Sequence, residues 1–341
     1  MNNFKDTVTF DDVLLTPQYS DINSRKEIDT SSKMCDNLAF ELPIISSPMD
    51  TITEGAMASK MADLGGLGII HRYCSIEKQG WMVQHADPDV RIIGAAIGVS
   101  GDYLERAKYL VDHSGAKVLC IDVAHGHHSM MKKALETLKT EFNDYVCLIA
   151  GNVATLEGFN DLADWGADSI RVGIGGGSIC STRIQTGHGM PTLQSVLDCS
   201  RSDRSATLIA DGGIKTSGDI VKCIAAGADF VLLGSLLAGT EETPGSPFYS
   251  DGRQYKPYRG MASVEAQIDW RGHTSSVEGV SHAVPFKGPV ETTISELSRG
   301  IRSGLSYSGC RSISEFQSKA KFIRQTPAGQ FESSTHIKSR F

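Results

Sequence analysis

The sequence predicts an α/β protein built as a (β/α)8 TIM barrel, on the evidence of three features. Eight short apolar segments precede residue 240, and most are near-continuous runs of Val, Ile and Leu, which is typical of parallel strands buried on both faces. Stretches of helical character separate these segments. Glycine follows four of the helical stretches, where a helix ends and the next strand begins. A doubly wound open sheet shows the same alternation and stays open as an alternative.

The predicted strands are short and are bounded by Gly, Pro or Asn. They cover residues 43–47, 67–70, 92–97, 117–122, 145–150, 169–172, 207–210 and 230–233. Helices are predicted between them over residues 54–64, 102–113, 156–165 and 217–226. The junction residues Gly65, Gly115, Gly166 and Gly227 can each take the left-handed conformation that ends a helix. In a barrel of such units, the loops after the strands form the active face.

The pattern changes after the last predicted strand. Residues 240–289 are rich in Gly, Pro, Ser and charge with little periodicity, so we expect an extended active-site flap there. Helical character returns at 290–303 and 312–320. The tail over 325–341 is polar, and we expect it to be mobile unless a ligand or a neighbouring subunit holds it. Residues 1–341 are therefore interpreted as one barrel domain.

The composition favours a small metabolite as the partner. The 341 residues are 40% hydrophobic and carry 33 basic and 40 acidic side chains, a net charge of −7, which argues against a nucleic-acid or anionic-membrane partner. No apolar run reaches the ~18 residues that a membrane-spanning helix needs, and the first residues contain no secretion signal. Eight cysteines without a CxxC pair indicate reduced thiols, so we expect a cytoplasmic protein.

The glycine-rich segment after the sixth predicted strand contains the strongest candidate for a catalytic residue. It reads RVGIGGGSICSTR from Arg171 to Arg183, and its glycines permit a backbone with exposed N–H and C=O groups, suited to an anion or a coordinated cation. Cys180 lies in it between Ser178 and Thr182. A lone cysteine is more often a small buried hydrophobe, but a thiol on such a loop of a barrel can be a nucleophile. We therefore predict that Cys180 is the nucleophile.

The loops after the seventh and eighth predicted strands indicate a phosphate site. They contain Asp211-Gly212-Gly213 and Gly234-Ser235. Loops in these positions of a barrel often bind phosphate through backbone N–H groups, and adjacent glycines let the anion approach closely. Asp211 would repel a phosphate, so we assign it hydrogen bonds from ribose hydroxyls. Two tight turns would explain the same glycines without any ligand.

Asp122 and three histidines follow the fourth predicted strand. The spacing of His125, His127 and His128 matches no familiar zinc site, so we do not predict a metal there. We interpret Asp122 as an acceptor for a second ligand, either the carboxamide or the ribose of a cofactor. A helix-capping aspartate is the structural alternative.

Seven motifs resemble those of the IMP dehydrogenase/GMP reductase family, and they occur in order from about residue 8 to residue 326. They are TFDDVLL at 9–15, SPMDT at 47–51, AGNVA at 150–154, VGIGGGSIC at 172–180, ADGGI at 210–214, YRGM at 258–261 and EG at 278–279. The resemblance implies a (β/α)8 barrel that assembles as a homotetramer. It also implies a purine nucleotide, GMP or IMP, as the substrate.

The resemblance further implies that Cys180 attacks C2 of the purine while a nicotinamide cofactor exchanges hydride at that carbon. Thr182 and Glu278 match the pair that manages the proton on a departing nitrogen. The implied nucleotide contacts are Ser47, Met49, Asn152, Arg171, Ser178, Asp211, Gly212, Gly213, Gly234, Ser235, Tyr258, Gly260 and Met261. The implied cofactor contacts are Asp122, Ala124, Gly173 and Arg271. The implied potassium ligands are the backbone carbonyls of Gly175, Gly177 and Cys180.

Two features favour the reductase of this family over the dehydrogenase. The regulatory CBS domain pair that dehydrogenases usually carry is missing, because residues 74–77 run within twenty residues into 93–96. The Arg-Tyr pair of the hydrolytic flap is also missing, since Arg271 lies between Trp270 and Gly272. A reductase needs no such flap. We therefore predict NADPH-dependent reductive deamination of GMP to IMP and ammonia.

Other residues favour the alternatives. SSPMD at 46–50 and AHGH at 124–127 are closer to bacterial dehydrogenases, and TPAGQFES at 326–333 resembles a dehydrogenase tail. Gly176 stands where many members have Pro or Ser. A compact IMP dehydrogenase that oxidises IMP to XMP with NAD is the first alternative. A purine-nucleotide-binding barrel without turnover is the second.

Overall fold

The computed structural model describes residues 4–86 and 92–333. The strands in these residues, in chain order, are β1 (Val13–Leu15), β2 (Ser32–Cys35), β3 (Leu38–Phe40), β4 (Ile44–Ser46), β5 (Leu67–Ile70), β6 (Gly94–Ile97), β7 (Val118–Asp122), β8 (Cys147–Val153), β9 (Ser169–Val172), β10 (Thr207–Asp211), β11 (Phe230–Leu233), β12 (Phe248–Ser250), β13 (Arg253–Arg259), β14 (Ser281–Pro285) and β15 (Phe322–Arg324). The strands predicted from sequence coincide with β4 to β11 to within three residues at each end.

The strands β4 to β11 close into a parallel barrel. Each strand pairs with the next along the chain, and β11 pairs with β4, where Val231 aligns with Ile44. This last pairing decides between the two architectures that the sequence left open, because an open sheet has no contact between its first and last strands. The predicted (β/α)8 barrel is therefore confirmed, and the doubly wound sheet is wrong.

Most of the helices in the described residues follow the barrel strands and cover the outer face of the barrel. They are α1 (Gly55–Asp63), α2 (Ile76–His85), α3 (Tyr103–Asp112), α4 (Ser129–Phe142), α5 (Leu156–Asp164), α6 (Thr182–Thr186), α7 (Thr192–Cys199), α8 (Ser217–Ala225), α9 (Val264–Arg271), α10 (Val290–Ser306), α11 (Ile313–Lys319) and α12 (Pro327–Glu332). The hydroxyls of Thr155 and Thr216 accept the first free N–H groups of α5 and α8. After α5 and α8, Gly166 and Gly227 have φ of 105° and 107°, the left-handed conformation that the sequence predicted.

The barrel interior forms its own apolar core, closed at the amino-terminal end. Ile45, Ile149 and Ile209 point inward among other buried side chains of the strands. The hairpin β2–β3 plugs this end, where Phe40 packs edge-on against Phe230 with ring centroids 6.0 Å apart. The filled interior leaves the carboxyl ends of the strands as the open end of the barrel.

Residues 240–289 are more regular than the sequence suggested. They contain the antiparallel sheet β12–β13–β14 and the helix α9. Sequence patterns missed the sheet because β13 reads RQYKPYR, in which charge and Pro257 replace the usual apolar alternation. The sheet and α9 lie over the carboxyl ends of the barrel strands, since Tyr258 and Met261 border the same cavity as Gly234.

The chain ends meet on the outside of the barrel. β15 pairs with β1 in antiparallel register, and Gln325 donates hydrogen bonds to the carbonyls of Asp11 and Asp12. Part of the predicted tail therefore forms α12, whereas residues 334–341 lie outside the described residues. Among the helices of the described residues, none is both long and apolar enough to cross a bilayer.

Candidate active site

A cavity of about 460 Å³ opens at the carboxyl ends of the barrel strands. It brings together residues from the loops after β4, β5, β7, β8, β9, β10 and β11, together with the β13–β14 region. Every site residue predicted from sequence lines it, and these are Ser47, Met49, Asp122, Ala124, Asn152, Arg171, Gly173, Gly175, Gly177, Ser178, Cys180, Thr182, Asp211, Gly212, Gly213, Gly234, Ser235, Tyr258, Gly260, Met261, Arg271 and Glu278.

A chain of hydrogen bonds links the candidate nucleophile to a carboxylate. The Cys180 thiol donates to Thr182 Oγ1 at 3.2 Å, and Thr182 Oγ1 donates to Glu278 Oε2 at 2.6 Å. The order of donors lets a proton move from sulfur through the hydroxyl to the carboxylate. These three side chains are thus arranged as a nucleophile with a base that acts through one intervening group.

A short antiparallel bridge brings Glu278 to Cys180 across almost a hundred residues of sequence. Cys180 pairs with Gly279, the Ser181 N–H donates to the Glu278 carbonyl at 2.9 Å, and the Val280 N–H donates to the Ile179 carbonyl at 3.1 Å. These backbone bonds hold the nucleophile loop against the region before β14. The geometry of the hydrogen-bonded chain from Cys180 to Glu278 therefore depends on backbone contacts as well as on side chains.

The glycine loop after β9 packs so closely on the loop after β10 that side chains are excluded. A Cβ atom at Gly173 would lie 1.9 Å from the Asp211 carbonyl oxygen, and one at Gly176 would lie 2.3 Å from Thr192 Oγ1. Gly212 has φ of 95° and faces the Gly177 N–H. The glycines predicted for a ligand loop are thus needed first for the close approach of two backbone segments.

Arg171 lies between two carboxylates beneath the cavity. Its Nη1 donates to Asp122 Oδ1 at 2.5 Å, and its Nη2 donates to Asp211 Oδ2 at 2.8 Å. Asn152 Nδ2 also donates to Asp211 Oδ2, at 2.7 Å. Burial works against the charged guanidinium, but Asp211 and Asp122 outweigh it and hold the pKa of Arg171 above its usual value. Arg171 thereby joins the carboxylate predicted for the ribose to the one predicted for the cofactor.

Replacing Arg171 by Met should destabilise the protein strongly. The change leaves Asp122 and Asp211 close together without a cation, and breaking a buried pair in this way costs about 3–5 kcal/mol of unfolding free energy. Urea denaturation measures the loss. The matched control is Arg204→Met, which removes a surface guanidinium bonded to Asp164 and should shift the transition far less. Equal midpoints for the Arg171 variant and the parent would contradict this interpretation.

The end of the cavity predicted for phosphate presents backbone donors and two hydroxyls. Within the described part of the chain, the N–H groups of Gly213, Gly234 and Ser235 have no protein acceptor. Ser178 Oγ lies 3.3 Å from Tyr258 Oη, and burial raises the pKa of Tyr258. These donors fit an anion.

Sequence reasoning missed an aromatic pair beside the cavity, of which Tyr73 is the member that lines it. Tyr73, after β5, stacks on Trp270 of α9 with centroids 5.7 Å apart, and the buried guanidinium of Arg106 lies 5.8 Å from the Trp270 ring centroid. Arg72 Nη2 donates to the Asp122 carbonyl at 3.4 Å, while its buried Nε has no hydrogen-bond partner among the described residues. No motif marks these residues, because their contact arises only when α9 folds over the barrel.

The histidines after β7 have structural contacts. His127 Nε2 lies 2.8 Å from Asp161 Oδ2, and the His128 side chain accepts from the Met130 N–H at the start of α4. Asp122, which precedes them, does not cap a helix but accepts from Arg171.

Comparison with known proteins decides the family. The profile described as "IMP dehydrogenase / GMP reductase domain" matches residues 7–336. The chain belongs to this family. The resemblance seen in the seven motifs is therefore confirmed, and the chain is an oxidoreductase of a family that acts on purine nucleotides.

Relatives in the IMP dehydrogenase/GMP reductase family carry both names. The chain is 33% identical to an inosine-5'-monophosphate dehydrogenase of Nitrosopumilus maritimus, over 98% of each chain. It is 34% identical to a GMP reductase of Leishmania major, over 96% of each chain. The alignments span 471 and 475 positions, more than the 341 residues of this chain, so both relatives are longer than this chain. Chain length therefore does not distinguish the dehydrogenase from the reductase among these two relatives.

A solved structure in the family has the same architecture. It is a cysteine-to-alanine variant of GMP reductase from Trypanosoma brucei in complex with guanosine 5'-monophosphate. The TM-score is 0.94 at 32% sequence identity, and the alignment covers 98% of this chain and 99% of that one. The likeness extends over the whole barrel and the sheet above it.

Proposed function

We propose that the protein is a GMP reductase, which converts GMP to IMP and ammonia with NADPH. The observation that carries the proposal is the chain Cys180–Thr182–Glu278, with its 3.2 Å and 2.6 Å hydrogen bonds, at the edge of a nucleotide-sized cavity. The Trypanosoma brucei structure, a GMP reductase bound to guanosine 5'-monophosphate, supports GMP as the substrate.

The same three residues account for the protons of the reaction. As the Cys180 sulfur bonds to C2 of the purine, its proton passes through the Thr182 hydroxyl to Glu278. Glu278 then returns that proton through Thr182 to the exocyclic nitrogen, whose bond to C2 breaks as ammonia leaves. The nicotinamide cofactor would supply the hydride that C2 takes up. The C2–S bond then breaks, and the Cys180 thiolate takes up a proton from solvent to restore the thiol.

The nucleotide would be held at both ends of the cavity. The free N–H groups of Gly213, Gly234 and Ser235 and the Ser178 hydroxyl would bind the phosphate. Asp211 would accept from the ribose, because Arg171 and Asn152 both donate to its Oδ2 and no donor among the described residues reaches its Oδ1. The other nucleotide contacts proposed are Ser47, Met49, Gly212, Tyr258, Gly260 and Met261.

The cavity-lining residues Arg72 and Tyr73 fit a cofactor site. The buried Arg72 Nε lacks a partner among the described residues, as expected for a donor that a polar ligand completes. Asp122, Ala124, Gly173 and Arg271 line the same region. Arg271 is the candidate contact for the 2'-phosphate that distinguishes NADPH from NADH.

The alternative, an IMP dehydrogenase that uses NAD, is favoured by the relative from Nitrosopumilus maritimus. That reaction ends with water attacking the bound purine, which needs a general base. Arg271 is a poor candidate, because its guanidinium donates to Gln267 Oε1 and Ser275 Oγ, and the preceding Trp270 is stacked on Tyr73. The structure of α9 thus supports the reductase.

Potassium binding and assembly are further parts of the proposal. The Gly177 carbonyl accepts from the Cys180 N–H at 3.2 Å and keeps a second lone pair, so the carbonyls of Gly175, Gly177 and Cys180 fit a monovalent cation. We also propose that the protein is cytoplasmic, since all eight cysteines are free. We propose a homotetramer because Val264 and Ile268 of α9 are exposed apolar side chains that a neighbouring subunit would cover. Light scattering tests the assembly.

A four-way assay tests the proposed function. The purified protein is incubated with GMP or IMP and with NADPH, NADH, NADP or NAD in the redox state that the substrate requires, and absorbance at the reduced nicotinamide band is followed. We expect consumption of NADPH only with GMP. Formation of NADH from IMP and NAD, without consumption of NADPH, would establish the dehydrogenase. Tight nucleotide binding without either signal would indicate a barrel without turnover.

Removing the Trp270 ring should weaken cofactor binding. Trp270→Ala deletes the stack on Tyr73, an aromatic pair worth about 0.5–1.5 kcal/mol, so KM for NADPH should rise about 3- to 10-fold. The KM for GMP should stay unchanged, because Trp270 is not among the residues proposed to contact the nucleotide. Trp270→Phe keeps a ring and should restore most of the affinity. An unchanged NADPH KM in the alanine variant would remove Trp270 from the cofactor site.

A further inference from the structure

A lysine outside the cavity is bonded to the loop after β11, the loop proposed above to bind the substrate phosphate. Lys287 follows β14, and its Nζ donates hydrogen bonds to the carbonyls of Ser235 at 3.2 Å and Leu236 at 3.1 Å. Lys287 is not among the described residues that line the cavity. The reaction proposed above does not use this side chain, so its effect on the site must pass through the loop.

Two peptide groups connect Lys287 to the free Ser235 N–H. The Leu236 carbonyl, which accepts from Lys287, shares its peptide group with the Leu237 N–H. This N–H donates to the Gly234 carbonyl at 3.0 Å. The Gly234 carbonyl shares its peptide group with the Ser235 N–H, which has no protein acceptor in the described part of the chain. A continuous chain of hydrogen bonds thus runs from the ammonium to a donor of the phosphate site.

The peptide groups of this turn point in one direction. The Ala238 N–H also donates to the Gly234 carbonyl, at 2.9 Å. Aligned peptide dipoles leave partial positive charge at their free N–H end and partial negative charge at their carbonyl end. Each hydrogen bond in a chain also polarises the next one. Lys287 lies at the carbonyl end, where a cation is favourable, and the phosphate site lies at the N–H end.

Backbone contacts fix the place from which the Lys287 side chain starts. The Lys287 N–H donates to the Gly239 carbonyl at 2.8 Å, and the Glu241 N–H donates to the Gly288 carbonyl at 2.9 Å. Gly239 has φ of 84°, and a Cβ atom there would lie 2.3 Å from the Pro285 carbonyl oxygen. The segment after β14 and the loop after β11 therefore pack backbone against backbone, which sets the reach of the lysine.

The Lys287 ammonium has no protein counterion among the described residues. Its hydrogen-bond partners there are the two carbonyls, and no carboxylate lies within ion-pair distance of its Nζ. Contact with the loop removes part of its water, and this burial lowers the pKa of Lys287. A dianionic phosphate at the free N–H end of the turn would supply the missing negative charge.

A second lysine on the same loop provides the contrast. Lys256 of β13 is buried, and its Nζ donates to the carbonyls of Thr240, Glu241 and Thr243. None of these carbonyls belongs to the chain that ends at the Ser235 N–H. Burial lowers the pKa of Lys256, while the carboxylates of Glu242 and Glu241 oppose that change. Lys256 therefore holds the far part of the loop without a connection to the phosphate donors.

We propose that Lys287 is a positioning residue that holds the loop after β11 in its phosphate-binding conformation and adds positive charge to the Ser235 N–H. The site thereby favours a substrate that carries a dianionic phosphate. This inference rests on the proposed function, because it takes the substrate to be a purine nucleotide. Lys287 bonds to no member of the chain Cys180–Thr182–Glu278, so it should act on nucleotide affinity rather than on kcat.

Titration calorimetry with the full-length protein tests the effect on affinity. Lys287→Met keeps the apolar stem and should raise Kd for GMP and for IMP by about 5- to 30-fold, the range for a charge acting on partly buried, aligned peptide dipoles. Lys287→Arg keeps the charge and should retain most of the affinity. The kcat at saturating GMP should stay near that of the parent. Equal Kd values for the parent and the methionine variant would overturn the inference, whereas a parent that binds neither nucleotide would refute the proposed function as well.

Phosphorus NMR separates added charge from mere support of the loop. The ionisation midpoint of the GMP phosphate is measured on the bound nucleotide, for comparison with its value of about 6 in solution. We expect a midpoint below this value in the parent, a midpoint shifted upward in Lys287→Met, and the parent value in the matched control Lys256→Met. An equal shift in both variants, or no shift in Lys287→Met, would overturn the inference.

The other titratable side chains at this end of the cavity do not change between these proteins. Burial raises the pKa of Tyr258, so its phenol stays protonated over the titration. Asp211 is bonded to Arg171 and Asn152 in every variant. A difference between the midpoints therefore reports the lysine that was removed.

Discussion

Cys180→Ala is expected to abolish turnover while leaving GMP binding nearly intact. In the proposed mechanism Cys180 forms the covalent bond to C2, and loss of a nucleophile that acts together with its base lowers kcat by about 10⁴-fold or more. A thiol contributes little to ground-state affinity compared with the backbone donors at Gly213, Gly234 and Ser235. Steady-state NADPH consumption measures kcat, and titration calorimetry measures GMP binding. The solved GMP reductase from Trypanosoma brucei is itself a cysteine-to-alanine variant with guanosine 5'-monophosphate bound.

A matched cysteine exchange controls for loss of a thiol. Cys35→Ser changes a half-buried cysteine at the other end of the barrel and should keep the parent kcat. Mass spectrometry of parent enzyme quenched during turnover should show the purine adduct on the peptide containing Cys180. An alanine variant with ordinary kcat, or an adduct on another side chain, would disprove the covalent step.

Glu278→Gln is expected to lower kcat by about 10²- to 10⁴-fold, the range over which a positioned acid or base acts. Gln keeps the size of the side chain and can still accept the 2.6 Å hydrogen bond from Thr182, but it cannot take up the proton. The KM for GMP should change little. Initial rates over a full range of GMP concentration separate the two parameters. A rise in KM at constant kcat would make Glu278 a contact for the base only.

Variants of Thr182 show whether the proton passes through its hydroxyl. Thr182→Ser retains the Oγ between Cys180 and Glu278 and should keep most of kcat, whereas Thr182→Val removes it and should act like Glu278→Gln. The double variant Thr182→Val with Glu278→Gln should be no slower than either single variant, since both break one path. Additive losses would show that the two residues act separately.

The barrel strands were predictable because a strand that is buried on both faces is a nearly continuous run of apolar residues in the sequence. The strand β9, SIRV, and β11, FVLL, are short apolar runs between a helix-ending glycine and a loop. The apolar pattern left closure open between a barrel and an open sheet, since closure rests on the pairing of β11 with β4 across the whole chain, whereas the resemblance to the family implied a closed barrel. The sheet β12–β13–β14 was missed for a related reason: its strands are stabilised by one another and carry little apolar pattern of their own.

The sequence predicted which residues line the site better than it predicted how those residues contact one another. The glycines and Cys180 could be recognised from their spacing, and the residues predicted from the family motifs line the cavity. The sequence did not predict that Arg171 bonds to both Asp122 and Asp211, because these residues belong to three different strands, β9, β7 and β10. Trp270 and Tyr73 likewise come from distant segments and meet only when α9 lies over the barrel.

The sequence by itself determined the family and the repeating βα unit, and it predicted Cys180 as the nucleophile, because these inferences depend on short patterns of residue type. Tertiary structure alone decided that β11 pairs with β4, that Glu278 reaches Thr182, and that Trp270 stacks on Tyr73. Such contacts form between segments far apart along the chain. Their geometry depends on how whole strands and helices pack, and no local pattern of residue types predicts it.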